Sequence, residues 1–358
     1  MDSSTLTPLW AFALASLTTM WAFSQRERTR VLLLVPIWLL SFLSLKTCHR
    51  LAWSGGFSST YASLLIFYFL HSLKILLLDY QPPKSLSPVD SYKLWNNPRG
   101  LSTHTSSPTR SSAKSHLKFA LKQFIKIVLL FMLDTYAIQG VISTAVFTEA
   151  KPSDFAPQYE LFLFQPLSSK QLLIRAAISV SWIWTAFYLL TASHCVLSLV
   201  FVALLRWDEP EEWPSIWGHP ANATSVRDFW GKVWNGITIP TFAFYAHLVL
   251  TTFGVEKQSR LGKKVVPFVI FFLSGLSHSL AGWTMGDVAP GRDMLFFMLN
   301  FLACAAETWV GKTRQWKIFK RRIPPWVLKV AGVIYLFGFF FTAVPLWMYP
   351  KVYGALGF

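Results

Sequence analysis

Charge is the scarcest thing in this sequence. Asp, Glu, Lys and Arg make up 14% of its 358 residues, where a soluble domain carries about 25%. Acid is scarcer than base, with 17 Asp+Glu against 33 Lys+Arg. Cysteine is nearly absent. Cys48, Cys195 and Cys304 are scattered, odd in number and outside any CxxC or Cys/His spacing, which excludes a disulfide framework and a zinc site. None of the eight histidines has Asp four residues on, and no GxSxG elbow or P-loop occurs. Clustered aspartates able to hold a magnesium diphosphate are missing too, as is any internal repeat.

What remains is apolar: 53% of the residues are hydrophobic and 16% aromatic, and the mean hydropathy is +0.41. Several apolar runs approach the ~20 residues needed to cross a bilayer. The chain therefore reads as an all-α, polytopic integral membrane protein. A net charge of +16 would suggest nucleic acid in a soluble protein. Here the bases lie in the joints between apolar runs, where orientation in a membrane requires them, and no nucleic-acid partner is expected.

The runs fall at 8–23, 31–46, 57–79, 119–147, 171–205, 237–254, 266–285, 293–311 and 326–349. The first follows no basic n-region and has no clear cleavage site, so it reads as a membrane helix rather than a signal peptide. This predicts about 8–9 transmembrane or re-entrant helices. Residues 1–79 form N-terminal membrane helices. Residues 80–117, rich in Ser, Pro, Thr and Lys, form a polar, flexible cytosolic loop that cannot bury a core. Residues 118–358 form the membrane core. If 237–254 dips in and returns while the other runs cross, the joints on one side hold 21 Lys/Arg and those on the other hold 6. A full crossing would move two basic joints to the wrong side. Pro240, near the start of that run, is compatible with a broken segment. Arg175 lies near a helix end, where it can snorkel to the interface.

Two stretches carry chemistry. Phe271–Trp283, FFLSGLSHSLAGW, places His278 in an apolar run among Ser274, Gly275, Ser277, Ser279 and Gly282. An ionisable residue there is costly, which makes it a functional candidate, and small neighbours allow close approach. The bland alternative is a satisfied core histidine, since His71, His194 and His247 also sit in apolar runs. The second stretch is Ser225–Gly236, SVRDFWGKVWNG. Ser225 and Asp228 match a capping box. Val226, Phe229, Trp230, Val233 and Ile237 share one helical face, which predicts an amphipathic helix on the cytosolic membrane surface with Trp at the headgroups. It ends at Asn235, just before the chain turns into the membrane. An imidazole can take the proton of an alcohol as it attacks a thioester, and an amide can orient the alcohol or steady developing oxyanion charge. No metal is needed.

RDFWGKVWN at 227–235, followed by the intramembrane SGLSH at 274–278, resembles the membrane-bound O-acyltransferase superfamily, and within it the wax-synthase-like branch. FFMLNFLACAAE at 296–307 is similar to a stretch downstream of that branch's histidine. The resemblance covers 225–311, and the N-terminal half matches only in hydropathy. It implies that His278 is catalytic with Asn235 as its partner. It also implies acyl-CoA as co-substrate, with no permanently bound cofactor, and a lipophilic alcohol as acceptor. Short chains of this kind with a polar Ser/Pro loop resemble fungal terpenoid or meroterpenoid O-acetyltransferases, which implies acetyl-CoA, secondary metabolism and a multi-pass protein of the endoplasmic reticulum.

Trp230, Lys232, Trp234, Ser274, Ser277 and Glu307 are candidate substrate-binding residues. For Asp228 capping is a sufficient role. Lys232 and the group Lys257, Arg260, Lys263 and Lys264 could meet CoA phosphates, although topology explains the same charges. Glu307, a carboxylate in an apolar run, could equally hold a structural partner. Long-chain wax-ester or sterol acylation is the alternative within this chemistry. A membrane transporter of lipophilic compounds is the alternative outside it, but the one suspected broken run, 237–254, has no counterpart in the first half.

Overall fold

The computed structural model describes residues 3–51, 56–80, 87–101, 112–161 and 166–356. No strand occurs among them; the elements are helices joined by short turns. The longer helices are α1 (Thr7–Ala22), α2 (Glu27–Thr47), α3 (Phe57–Leu73), α4 (Pro88–Trp95), α5 (Ala113–Met132), α6 (Ser169–Ser198), α7 (Ile239–Thr252), α8 (Gly262–Thr284), α9 (Gly291–Lys312), α10 (Arg314–Arg322) and α11 (Pro325–Ala355). Seven are long and apolar enough to cross a membrane, several with flanking turns: Glu27–Arg50, Phe57–Leu78, Ala113–Ile142, Ser169–Leu204, Gly262–Thr284, Gly291–Lys312 and Pro325–Ala355. Their outward residues are apolar as well, with Leu32, Leu117 and Ile334 each about two-thirds exposed or more. That is the surface a hydrocarbon solvent allows.

The two remaining apolar runs give shorter helices. α1 has 16 residues and α7 has 14. At 1.5 Å per residue α7 is ~21 Å long, short of the ~30 Å hydrocarbon layer, and Pro240 stands in its first turn. This length suits the expected re-entrant or tilted segment.

Two expectations need correction. The polar stretch 80–117 is not loop throughout. Ser87 caps α4 with a complete capping box, Tyr92 is buried, and its hydroxyl donates to Asp208 at 2.6 Å. Lys93 pairs with Glu212 at 2.7 Å. Carboxylates more than a hundred residues downstream thus hold a segment whose composition reads as solvent-exposed. The rest of that expectation, at 81–86 and 102–111, lies outside the described residues. Arg175 does not snorkel either. It is fully buried, and its guanidinium donates to the carbonyls of Tyr159, Glu160 and Phe341 beside the Tyr349 ring. A guanidinium carries five donors and no acceptor, so carbonyls left free by the 157–160 turn and by α11 suit it.

The core that positions the site lies between α6, α9 and α11. Ile174, Ile178, Phe296, Phe297, Phe340 and Val344 are buried there with Val226 and Phe229 of the upstream motif.

Candidate active site

His278 sits on α8, 16 residues after Gly262, or ~24 Å along the axis from the basic end of that helix. Gly275 lets α9 come close: a Cβ there would stand 3.0 Å from the Met294 sulfur and 3.1 Å from the Phe297 Cβ. Phe297 consequently stacks on the imidazole, with centroids 5.0 Å apart and planes 24° from parallel. The ring edge is held from the other side by α3, where Ser63 Oγ lies 3.3 Å from His278 Nδ1. Nε2 has no partner among the described residues and is not sealed off by its neighbours. His278 is only part-buried, so its free nitrogen can be reached from outside the residue's own packing. Such a nitrogen can accept a proton from a small reactant.

The upstream motif is not a surface-lying helix. It is a short wedge, Val226–Asp228 continued by a wide π-type turn, Phe229–Val233. Val226 and Phe229 are buried in the core, and Trp230 and Trp234 pack against it. Too many aromatics for one face of so short a helix explain this: Trp182 of α6 lies 5.1 Å from Trp234 and 6.4 Å from Trp230, and protein supplies the apolar contact that lipid was expected to give. Trp230 donates its Nε1–H to Asn300 at 2.7 Å, and Asn300 in turn donates to the Phe296 carbonyl at 2.8 Å. Gly218 admits the end of the wedge, since a Cβ there would fall 1.7 Å from the Lys232 carbonyl oxygen.

The wedge is capped at every early amide. Ser225 Oγ accepts from the Asp228 N–H at 3.0 Å. The Glu307 carboxylate accepts from Val226 N–H at 2.8 Å and Arg227 N–H at 2.9 Å. A helix N-terminus leaves such amides unmet and carries partial positive charge. A carboxylate from α9 satisfies both, so Glu307 ties the motif to the helix that bears Phe297. The partners it has here are backbone amides rather than an Arg or Trp. The sequence signal was there: a lone carboxylate in an apolar run, and a capping box two amides short of complete.

Asp228 spends its carboxylate on Thr224 at 3.1 Å and on Lys232 at 2.7 Å. Burial pushes its carboxyl up, but the hydrogen bonds from Lys232 and Thr224 and the charges of Lys232 and Arg227 outweigh this and hold it below the usual range. Lys232 is thereby neutralised, although 59% exposed. Ser274 and Ser277 donate to Ile270 and Leu273 carbonyls on their own helix, each at 2.8 Å, which leaves neither hydroxyl proton for a ligand. Asn235 is half-buried where the wedge runs out. No hydrogen bond joins it to His278 among the described residues. The structure thus brings His278, Phe297, Trp230, Trp234 and Glu307 onto one framework of α8, α9 and wedge, without a direct link from Asn235 to the histidine. Sequence reasoning missed Ser63 and Trp182, which lie on other elements and match no motif, and Asn300, which lies within the 296–307 stretch but was not singled out. No group of three or more His, Cys, Asp or Glu that could hold a metal occurs among the described residues.

Comparison with known proteins covers the same framework. The model of the membrane bound O-acyl transferase family matches residues 213–299, a stretch that contains both the wedge and His278. The acetyltransferase eriL of Hericium erinaceus is 24% identical over 98% of this chain and 92% of its own length. The acetyltransferase ple2 of Rhodocybe pseudopiperita is 24% identical over 53% of this chain and 50% of its own. The acetyltransferase sirH of Emericella nidulans is 30% identical over 32% and 27%. This chain spans half or less of the latter two. No solved structure matches. The resemblance drawn from the two motifs is borne out, and the chain is similar to membrane acyltransferases over residues 213–299.

Proposed function

We propose that this multi-pass membrane acyltransferase moves an acetyl group from acetyl-CoA to the hydroxyl of a lipophilic alcohol, with His278 as general base. The observation that carries the reading is the free Nε2 of His278. It is part-exposed and unpartnered among the described residues, on the segment shared with the acyltransferases. The alcohol's proton passes to Nε2 as its oxygen attacks the thioester carbonyl. The tetrahedral intermediate then collapses, the C–S bond breaks, and the imidazolium returns its proton to the CoA sulfur. Asn235, at the end of the wedge, orients the alcohol or donates to the developing oxyanion when substrate is bound.

The acetyl group is inferred from the relatives' names, each an acetyltransferase. A terpenoid or meroterpenoid acceptor and the endoplasmic reticulum follow from the resemblance of the motifs to fungal enzymes of that kind. Lys257, Arg260, Lys263 and Lys264 are exposed at the start of α8 and are suited to the phosphates of CoA; Lys232, paired with Asp228, is less so.

The test is a membrane-fraction assay with radiolabelled acetyl-CoA and palmitoyl-CoA against farnesol, geranylgeraniol, hexadecanol and ergosterol. An acetyl ester that disappears in His278→Ala is expected. Palmitoyl esters alone would replace acetyl transfer by wax-ester or sterol chemistry. Ester yields equal to those of empty membranes with every pair, together with uptake of labelled alcohol, would favour a transporter.

A further inference from the structure

We infer that Ser63 is a positioning residue that sets the tautomer of His278, holding the proton on Nδ1 and leaving Nε2 as the bare base. The inference rests on the proposed role of His278, but its geometry stands independently. α3 packs directly on α8, so a residue from a part of the chain without any motif reaches the imidazole.

A serine hydroxyl has one proton to donate and two lone pairs to accept with. Ser63 Oγ lies 3.0 Å from the Ser59 carbonyl oxygen, one turn earlier on α3. A carbonyl can only accept, so the hydroxyl proton is spent there. The second contact of Ser63 Oγ, at 3.3 Å to His278 Nδ1, must then be one in which Oγ accepts and Nδ1–H donates. In a neutral imidazole one nitrogen carries the proton and the other is the acceptor. A proton fixed on Nδ1 leaves the Nε2 lone pair available, and Nε2 is the nitrogen without a protein partner. Phe297 fixes the plane of the ring and Ser63 fixes its rotation within that plane. When Nε2 takes the alcohol's proton, Nδ1–H already has its acceptor, so no group needs to reorient.

His71, on α3 two turns after Ser63, shows the opposite assignment. Its Nε2 faces the Trp95 carbonyl at 3.4 Å and must carry the proton, while Nδ1 accepts from Thr241 at 3.1 Å. The neighbour of each imidazole therefore decides which nitrogen is basic, and of these two residues His278 is the one whose basic nitrogen is left open.

Three full-length variants test this in the acetyl-transfer assay: Ser63→Ala, Ser63→Thr and His278→Ala. Threonine in a helix can make the same bond to the carbonyl one turn back, so it keeps an accepting oxygen beside Nδ1. Ser63→Ala is expected to lower kcat on the order of tenfold, as loss of a partner that orients a functional histidine does. KM for acetyl-CoA should stay unchanged, and Ser63→Thr should restore kcat. ¹⁵N-histidine spectra of the detergent-solubilised protein give a readout independent of activity. The resonance pair that vanishes in His278→Ala should report an Nδ1–H tautomer in wild type and in Ser63→Thr, and a mixture in Ser63→Ala. Wild-type kcat in Ser63→Ala, impairment of Ser63→Thr equal to that of Ser63→Ala, or an Nε2–H tautomer in wild type would each overturn the inference. Should His278→Ala keep full activity, the proposed function fails, and the nitrogen spectra still decide the tautomer.

Discussion

His71 and His278 occupy matched settings with opposite outcomes. Each stands in an apolar helix and stacks on a phenylalanine, His71 on Phe67 at 5.6 Å and His278 on Phe297 at 5.0 Å. Both nitrogens of His71 are engaged, and the residue is 4% exposed. It cross-links α3, α4 and α7. His278 has one nitrogen engaged and one open. Burial of an imidazole among apolar side chains therefore does not distinguish a structural histidine from a reactive one. Between these two the count of partners does, because a filled hydrogen-bonding capacity leaves nothing to offer a substrate.

The largest expected effect comes from breaking this pair apart. His278→Ala should lower acetyl transfer by about 10²–10⁴-fold, while the protein still accumulates in the membrane fraction. His71→Ala should do the reverse, because it strands the Thr241 hydroxyl and the Trp95 carbonyl in the interior at roughly 1–3 kcal/mol each. Its folded yield and melting temperature in detergent should fall, with near-normal turnover per folded molecule. His247→Ala is the neutral comparison: that residue is half-buried without the SGLSH surroundings. Inactive, fully folded His71→Ala beside active His278→Ala would invert the assignment.

Asn235→Ala comes next. An amide that orients or polarises, rather than accepting the proton, should cost less than the base, about 10–10³-fold in kcat by comparison with loss of one oxyanion donor. Unchanged kcat would remove Asn235 from the site. Its want of a direct bond to His278 makes this the sharper test of the motif's role.

The fold was legible where periodic apolar length decides it. All nine runs became helices, and the shortness of the 237–254 run is visible in α7, 14 residues long. His278 was legible as a costly polar group among small residues. What stayed hidden depended on partners distant in sequence. Arg175 looked like a snorkelling end residue because its acceptors include a carbonyl 166 residues away. The 225–236 segment looked like a surface helix because its apolar face could have been covered by lipid, and only the packed structure supplies α6, α9 and α11 instead. Ser63 is one of many serines in an N-terminal stretch without a motif, and nothing local marks it.

A smaller effect separates the wedge from the histidine. Glu307→Ala leaves the amides of Val226 and Arg227 without their carboxylate and should destabilise the protein by about 1.5–3 kcal/mol, the range for hydrogen bonds to a charged group. Glu307→Gln retains an accepting oxygen and should recover part of this. Thermal melts in detergent read both. With its carboxylate bonded to the wedge amides, kcat per folded molecule should fall far less than in His278→Ala; an equal fall with unchanged melting would give it a chemical role.

The smallest effect concerns the pair that neutralises Lys232. The Asp228 carboxyl titrates below the usual range because hydrogen bonds from Lys232 and Thr224 outweigh its burial. A group with a depressed folded-state pKa contributes stability that is fully present above its unfolded value, about 3.9, and is lost as pH falls through the folded value. Asp228→Asn should therefore melt slightly lower than wild type at pH 7, and the gap should close as both are taken from about pH 4 downward. Lys232 is 59% exposed, so solvent screens the pair and the gap at pH 7 should stay below about 1 kcal/mol. The same variant frees Lys232 from its partner. If that lysine can serve CoA phosphates, KM for acetyl-CoA should fall in Asp228→Asn while kcat holds. An unchanged KM would leave the phosphates to the bases at the start of α8. A gap that widens toward low pH would show that the carboxylate is strained rather than stabilised where it sits, contrary to the bonds it makes with Thr224 and Lys232.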